Sequence, residues 1–243
     1  MNIKRENRLG EIINYDDGQR VEIIGLYGKY NFTIKFNDGT VIENVQYNSI
    51  FEQRIKNRNY PSICGIGYIG FGKYNSSNSK KAYRAWIEMI KRCYNPNNRQ
   101  TSYKDCSVNK DWHNFQNFAL WFNENYVYGF QLDKDLMYKG NKEYSPSKCC
   151  FVPIQINTLL VSKKAKRGNY PLGCCMDGNK LKVVVNVDGK CVNLGRFTNI
   201  EKGFLAYKKA KEDNIKKMAN RYKDVLNEQC YNTLISWEIN IND

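Results

Sequence analysis

Short turns that tolerate positive φ keep interrupting the apolar runs of this chain, and they limit what it can fold into. Asn37-Asp38-Gly39, Asp177-Gly178-Asn179 and Asp188-Gly189 each separate alternating apolar segments, so the strands on either side are short and paired as hairpins. Helical spacing occurs elsewhere, so the expected class is α+β, assembled from small modules. The 243 residues allow one large domain or two to three small ones, and 42% hydrophobic residues are enough to bury real cores.

In the first segment Val21, Ile23, Ile24 and Leu26 precede Phe32, Ile34 and Phe36, and Val41, Val45 and Tyr47 follow the Asn37 turn. Strands this short within residues 1–59 predict a small antiparallel β-barrel of the SH3 type. Residues 60–79 change character, with Gly65, Gly67, Gly70 and Gly72 among aromatics and then a Ser/Asn run, and they read as a linker. A phosphate loop is excluded there, since no Lys-Ser or Lys-Thr follows the last glycine.

Ser79 is placed to cap a helix in which Tyr83, Trp86, Ile87, Met89 and Ile90 recur at helical spacing, with Lys80, Lys81, Arg84, Lys91 and Arg92 between them. A second helix is predicted from near Asp111, with Trp112, Phe115, Phe118, Ala119 and Phe122 as its core stripe. The last third gives strands near Leu172–Met176, Lys180–Val187 and Cys191–Phe197, then a helix from Asn199 to about Asn220. Tyr231–Ile241 reads as a further strand or an arm. In the middle strand Leu181, Val183 and Val185 face one way, and Lys180, Lys182, Val184 and Asn186 the other.

Charge narrows the function. The net charge is +14, and the basic excess is 1 over residues 1–60, 6 over 61–160 and 7 over 161–243. That concentration of positive potential attracts polyanions, DNA or RNA, of which double-stranded DNA is the expected partner. The tract Lys163, Lys164, Lys166 and Arg167 contains no acidic residue to neutralise it and is expected to track a phosphate backbone. No apolar run reaches membrane-spanning length and the N-terminus lacks an apolar signal region, so no membrane partner is expected and the location reads as cytoplasmic. Nine cysteines, an odd number with two adjacent pairs, are read as reduced thiols.

Two groups of motifs carry a resemblance. Trp86-Ile87-Glu88-Met89-Ile90-Lys91-Arg92-Cys93-Tyr94-Asn95-Pro96, then Val108, Trp112 and Phe115, then Leu132-Asp133-Lys134-Asp135, Lys139-Gly140-Asn141-Lys142, Tyr144-Ser145-Pro146, Cys149, Phe151-Val152-Pro153 and Ile156-Asn157 resemble the HNH-type proteins of bacteriophages. Tyr170-Pro171-Leu172-Gly173, Leu194-Gly195-Arg196-Phe197 and Phe204-Leu205-Ala206-Tyr207-Lys208 resemble the AP2-type DNA-binding module often fused behind them. The resemblance implies a ββα-metal region over residues 80–162, preceded by two helices, and a three-stranded sheet plus helix over 163–243. It also implies a home in the host cytoplasm.

It further implies nuclease chemistry, in which a histidine at the end of the first strand activates water beside a divalent ion. Lys134 stands at that position, and a solvent-facing lysine is protonated at neutral pH and takes no proton. Asp133 and Asn157 match remaining polar positions, and His113, the only histidine, lies outside the motif. The expected function is therefore DNA binding by an HNH-like region degenerate in catalysis, with Lys134 as a phosphate contact. The AP2-like sheet adds Lys180, Lys182, Asn186, Asn193 and Arg196, whose amide and cationic side chains contact bases and phosphates.

Two alternatives stay open. One is an active Mg²⁺-dependent nicking endonuclease using Asp133 or Asp135 as metal ligands with Asn157 and His113; no cofactor is expected otherwise. The other is a phage-encoded inhibitor that binds a host nuclease or defence protein. Cys93, Cys106 and Cys149 or Cys150 could converge on zinc, although their irregular spacing favours small buried apolar side chains.

Overall fold

The computed structural model of the chain describes residues 4–95, 103, 105–160 and 170–242. The fold is mixed α and β with several small sheets, and no helix among the described residues is long and apolar enough to cross a membrane. The first unit pairs β1 (Ile12–Asn14), β2 (Arg20–Tyr27), β3 (Asn31–Phe36) and β4 (Val41–Val45) as an antiparallel meander in that order. Val21, Ile23, Phe32, Ile34 and Phe36 point to one face, which α1 (Tyr47–Phe51) covers through fully buried Ile50. The expected barrel is not closed: β1 and β4 remain at opposite edges of an open sheet. β1, at three residues, offers too few ladder hydrogen bonds to seal the seam.

The segment expected to be a linker is instead packed. Ile63, Cys64, Ile69 and Tyr74 lie against the central core, and Tyr68 bridges to Asn114. The glycines make this possible. A Cβ on Gly67 would stand 2.5 Å from Ile90 Cδ1, and one on Gly70, at φ +70°, would stand 2.2 Å from Asn114 Oδ1. The Gln116 amide closes the arrangement: its Oε1 accepts from Tyr74 N at 3.0 Å, and its Nε2 donates to Ile69 O at 2.8 Å and Tyr74 O at 2.9 Å.

The central unit begins with α2 (Lys80–Tyr94), whose apolar stripe buries Trp86, Met89 and Ile90. Ser79 does not cap it through its side chain; its Oγ donates to Asn78 Oδ1 at 2.9 Å instead. The two-residue strand β5 (Ser107–Val108) leads into a 3-10 turn, Lys110–His113, and Asn114 then caps α3 (Phe115–Asn125) by accepting from Gln116 N at 3.0 Å. The second helix thus starts later than the pattern near Asp111 predicts, because the asparagine side chain satisfies the first amides there. β6 (Phe130–Asp133), β7 (Glu143–Tyr144) and β8 (Cys150–Pro153) follow. β7 pairs parallel with β5, and β6 pairs antiparallel with β8, which runs directly into α4 (Ile154–Leu160).

The last unit stacks β9 (Cys174–Asp177), β10 (Lys180–Val187) and β11 (Lys190–Phe197) in the order β11-β10-β9, with α5 (Ile200–Arg221) across one face. Leu181, Val183 and Val185 are buried beneath Phe204, Tyr207 and Ile215. The first half of the segment expected as a further strand or arm belongs to α6 (Glu228–Ile235), because Cys230 and Leu234 sit one helical turn apart and both face the core; residues 237–240 follow without regular structure. The same core contains Leu136, Cys150, Val152 and Ile156, so the β6-β8-α4 unit and the last sheet share their apolar interior.

Replacing Gln116 with Ala leaves three backbone groups of the 69–74 segment without their partner and is expected to destabilise the protein by about 2 kcal/mol. Urea unfolding together with limited proteolysis checks this. A segment acting as a free linker would be cut as readily in the wild type as in the variant.

Candidate nucleic-acid interface

The β6-β8 hairpin and α4 determine where the residues singled out from sequence end up. Asp133 closes β6 and turns the chain: its Oδ1 accepts from Asp135 N at 2.9 Å and Leu136 N at 2.7 Å. Leu136 is thereby driven into the shared core. Burial raises the Asp133 carboxyl above the usual carboxylate range, outweighing the two amides that act in the opposite direction. Lys134 is not solvent-facing. It is 6% exposed, pairs with Asp135 and donates to Asn141 O at 3.0 Å. The Asn141 amide returns hydrogen bonds to Lys134 O at 2.8 Å and Glu143 O at 2.7 Å, so Lys134 staples its own loop from inside. Asn157 Nδ2 donates to Gln131 Oε1 at 2.9 Å and ties α4 to β6.

This loop forms one wall of a cleft of about 870 Å³, with α2 along the other wall and Trp237, from the chain after α6, also lining it. Seven cationic side chains line the cleft, namely Lys80, Lys81, Arg84, Arg92, Lys134, Lys139 and Lys142, against Glu88, Asp133 and Asp135. Arg92 pairs with Glu88 at 3.4 Å and Lys134 with Asp135, whereas Lys80, Arg84 and Lys142 are exposed and form no ion pair among the described residues. Lys80 and Lys81 open the first turn of α2, which holds no acidic residue, and Arg84 follows at the start of the second. Cations at a helix N-terminus oppose the helix dipole and weaken the helix, while a bound anion there would be attracted by both.

The outer face of the last sheet forms a second cationic surface. Register places Lys182 between Cys175 and Arg196, Lys180 beside Asp177, and Asn186 beside Cys191. Lys180, Asn186, Asn193 and Arg196 are exposed and Lys182 is half-buried. Arg196 is paired with Asp177, and Asn193 Oδ1 accepts from Gly195 N at 3.1 Å, so both side chains also serve the sheet. Lys163, Lys164, Lys166 and Arg167 lie outside the described residues.

His113 does not line the cleft. Its Nε2 contacts Val108 O at 3.0 Å and its ring meets Tyr94 edge-on at 6.3 Å. The acidic pair does not fit a divalent cation: one Asp133 oxygen is held by two amides, and Asp135 is engaged by an ammonium group that repels a cation. Cys106, Cys149 and Cys150 are buried and Cys93 is half-buried. Burial pushes the thiols of Cys93 and Cys149 up to about 12, which favours the protonated form over a metal-binding thiolate. Among the described residues no three His, Cys, Asp or Glu side chains converge as metal ligands.

The sequence reading omitted Lys142, Lys139 and Trp237 from the site, and it treated Lys80, Arg84 and Arg92 only as the polar face of a helix. A usable signal is present in the run Lys80-Lys81-Ala82-Tyr83-Arg84, which places three cations in the first five residues of a helix without any acid.

Asp133→Asn keeps the Oδ1 acceptor and removes the buried charge. Because the folded carboxyl binds its proton more tightly than the unfolded one, its contribution to stability is present at low pH and is lost as pH rises through the raised folded value. The Asn variant should therefore match the wild type at low pH and melt higher at neutral pH, whereas Asp133→Ala, which loses both hydrogen bonds, should be less stable by about 1–2 kcal/mol. Melting curves from pH 3 to 8 check both. Comparison of the chain with protein-family models, with curated proteins and with solved structures gives no match.

Proposed function

We propose that this chain is a DNA-binding protein in which the cleft and the outer face of the β9-β10-β11 sheet hold the phosphate backbone, and in which the HNH-like unit has kept the binding role without the cutting one. The observation that carries this reading is the cleft, where exposed Lys80, Arg84 and Lys142 form no ion pair among the described residues and three cations load the unfavourable end of α2. An arrangement that opposes local helix stability is what a functional site looks like when its compensating anion is a ligand.

The order β6, β8, α4 agrees with the ββα arrangement that the resemblance implies, and the three-stranded sheet with α5 agrees with an AP2-like reader. A binding role is favoured over cleavage by the chemistry at the strand end. The residue in the base position is a buried ammonium group already donating to Asn141 O and paired with Asp135, and the one histidine is engaged by a backbone carbonyl away from the cleft. In this reading Asp133 and Asn157 position the loop and the helix, and Lys180, Lys182, Asn186 and Arg196 offer the sheet's contacts to DNA. Asn157, Asp135 and His113 have no catalytic part in it.

Bound phosphates release counterions, so affinity for a DNA duplex carrying a single-stranded tail should fall steeply along a log K against log[salt] plot. The triple variant Lys80→Gln, Arg84→Gln, Lys142→Gln should bind that DNA, whatever its sequence, at least tenfold more weakly and should flatten the slope by about 2 to 3, close to one unit per lost phosphate contact. A flat wild-type plot would remove the nucleic-acid reading. Incubation with supercoiled plasmid and Mg²⁺ or Mn²⁺ should give no nicking, and metal-dependent nicking abolished by Asp133→Ala would establish the nuclease alternative instead.

A further inference from the structure

We infer that the cleft takes an unpaired stretch of nucleic acid, with a base stacked on Tyr128 at its rim, and not an intact duplex; this rests on the nucleic-acid reading above.

A surface built only to hold a phosphate backbone needs cations, whereas this rim also presents π faces. Tyr128 stands just outside the cleft lining, beside Lys81, and is 84% exposed, the most exposed large apolar side chain among the described residues. The Lys81 ammonium lies 4.7 Å from its ring centroid and 5.6 Å from that of Tyr126, so a single cation is shared between the two rings. Tyr126 is fixed from behind, stacked on Phe122 at 4.6 Å and 14° and edge-on to Phe151 at 5.3 Å. Trp237 also lines the cleft, half-buried, with the Lys139 ammonium 5.7 Å from its ring. Aromatic rings flanked by cations are the means by which proteins bind single strands, since every base has a π face and every linkage a charge.

Size leads to the same occupant. A volume of about 870 Å³ lies within the range of clefts that enclose small ligands, roughly 300–1,000 Å³. A duplex whose major groove alone is about 12 Å wide does not enter such a space, while one or two nucleotides do. The duplex contacts then belong to the outer face of the sheet, and the cleft receives a strand where pairing is interrupted.

The test is fluorescence anisotropy with the full chain and a labelled 20-nucleotide DNA strand, the same sequence as RNA, and the same sequence as a DNA duplex, at one salt concentration. Tyr128→Ala should weaken at least one of the two single strands about tenfold and leave the duplex within twofold, and Tyr128→Trp should restore the loss. Tyr128 has almost no packing to lose, so these variants fold. A Tyr128→Ala protein that binds both single strands as the wild type does, or that loses duplex and strand equally, overturns this inference and leaves the nucleic-acid reading standing. If neither strand nor duplex binds the wild type, the reading and the inference fall together.

Discussion

The burial of Val152 and Ile156 against the last sheet and its helices is the contact on which most of the molecule depends. Those two residues come from β8 and α4, and they share one apolar interior with Leu181, Val183, Ile215 and Leu234. Without it, α4 would be a single seven-residue helix on a two-stranded hairpin, too little structure to hold itself together in water. With it, β6 is fixed, and the turn after Asp133 and the wall of the cleft follow. The cationic cleft and the cationic sheet are therefore attached to the same interior, which sets their relative placement by packing and not by a tether.

Electrostatics in the cleft divide into satisfied and unsatisfied charges. Lys134 is among the most buried polar groups of the chain, and its ammonium has an anion and a carbonyl to answer it, as a buried charge requires. Lys80, Arg84 and Lys142 remain exposed and unpaired among the described residues, where water and salt solvate them. The position after Asp133 thus contributes architecture, and its exposed neighbours across the cleft carry the available charge.

Periodicity made the last sheet legible. The alternation of Leu181, Val183 and Val185 with polar neighbours, the two Asp-Gly turns and the helix beginning at Asn199 all reappear in β9, β10, β11 and α5. The first sheet was legible as strands but not as a topology, because barrel closure depends on edge pairing that a strand pattern does not encode. Residues 60–79 misled for a related reason. Glycine marks flexibility in one context and close approach in another, and only the position of Gln116, some forty residues away, distinguishes them. Within the site, Asp133 and Lys134 were identified by position and misjudged by role, since a sequence does not show that a lysine side chain turns inward. Trp237 was invisible because it reaches the cleft by tertiary packing alone.

The distance along the chain between Cys150 and Cys230, which meet in the shared interior, has a consequence for synthesis. A ribosome extends a chain residue by residue, and that part of the interior cannot close until Cys230 and Leu234 have emerged. Until then α5 can cover the sheet, but the apolar surface that α6 buries stays open to water, and the cleft lacks Trp237. The nascent chain passes through a stage in which its first sheet, with a core of its own, can already be folded while the half that holds the cleft is still adhesive and incomplete. Pausing late in translation is therefore more hazardous for this protein than pausing early, and chains released before residue 230 present apolar surface to chaperones and proteases.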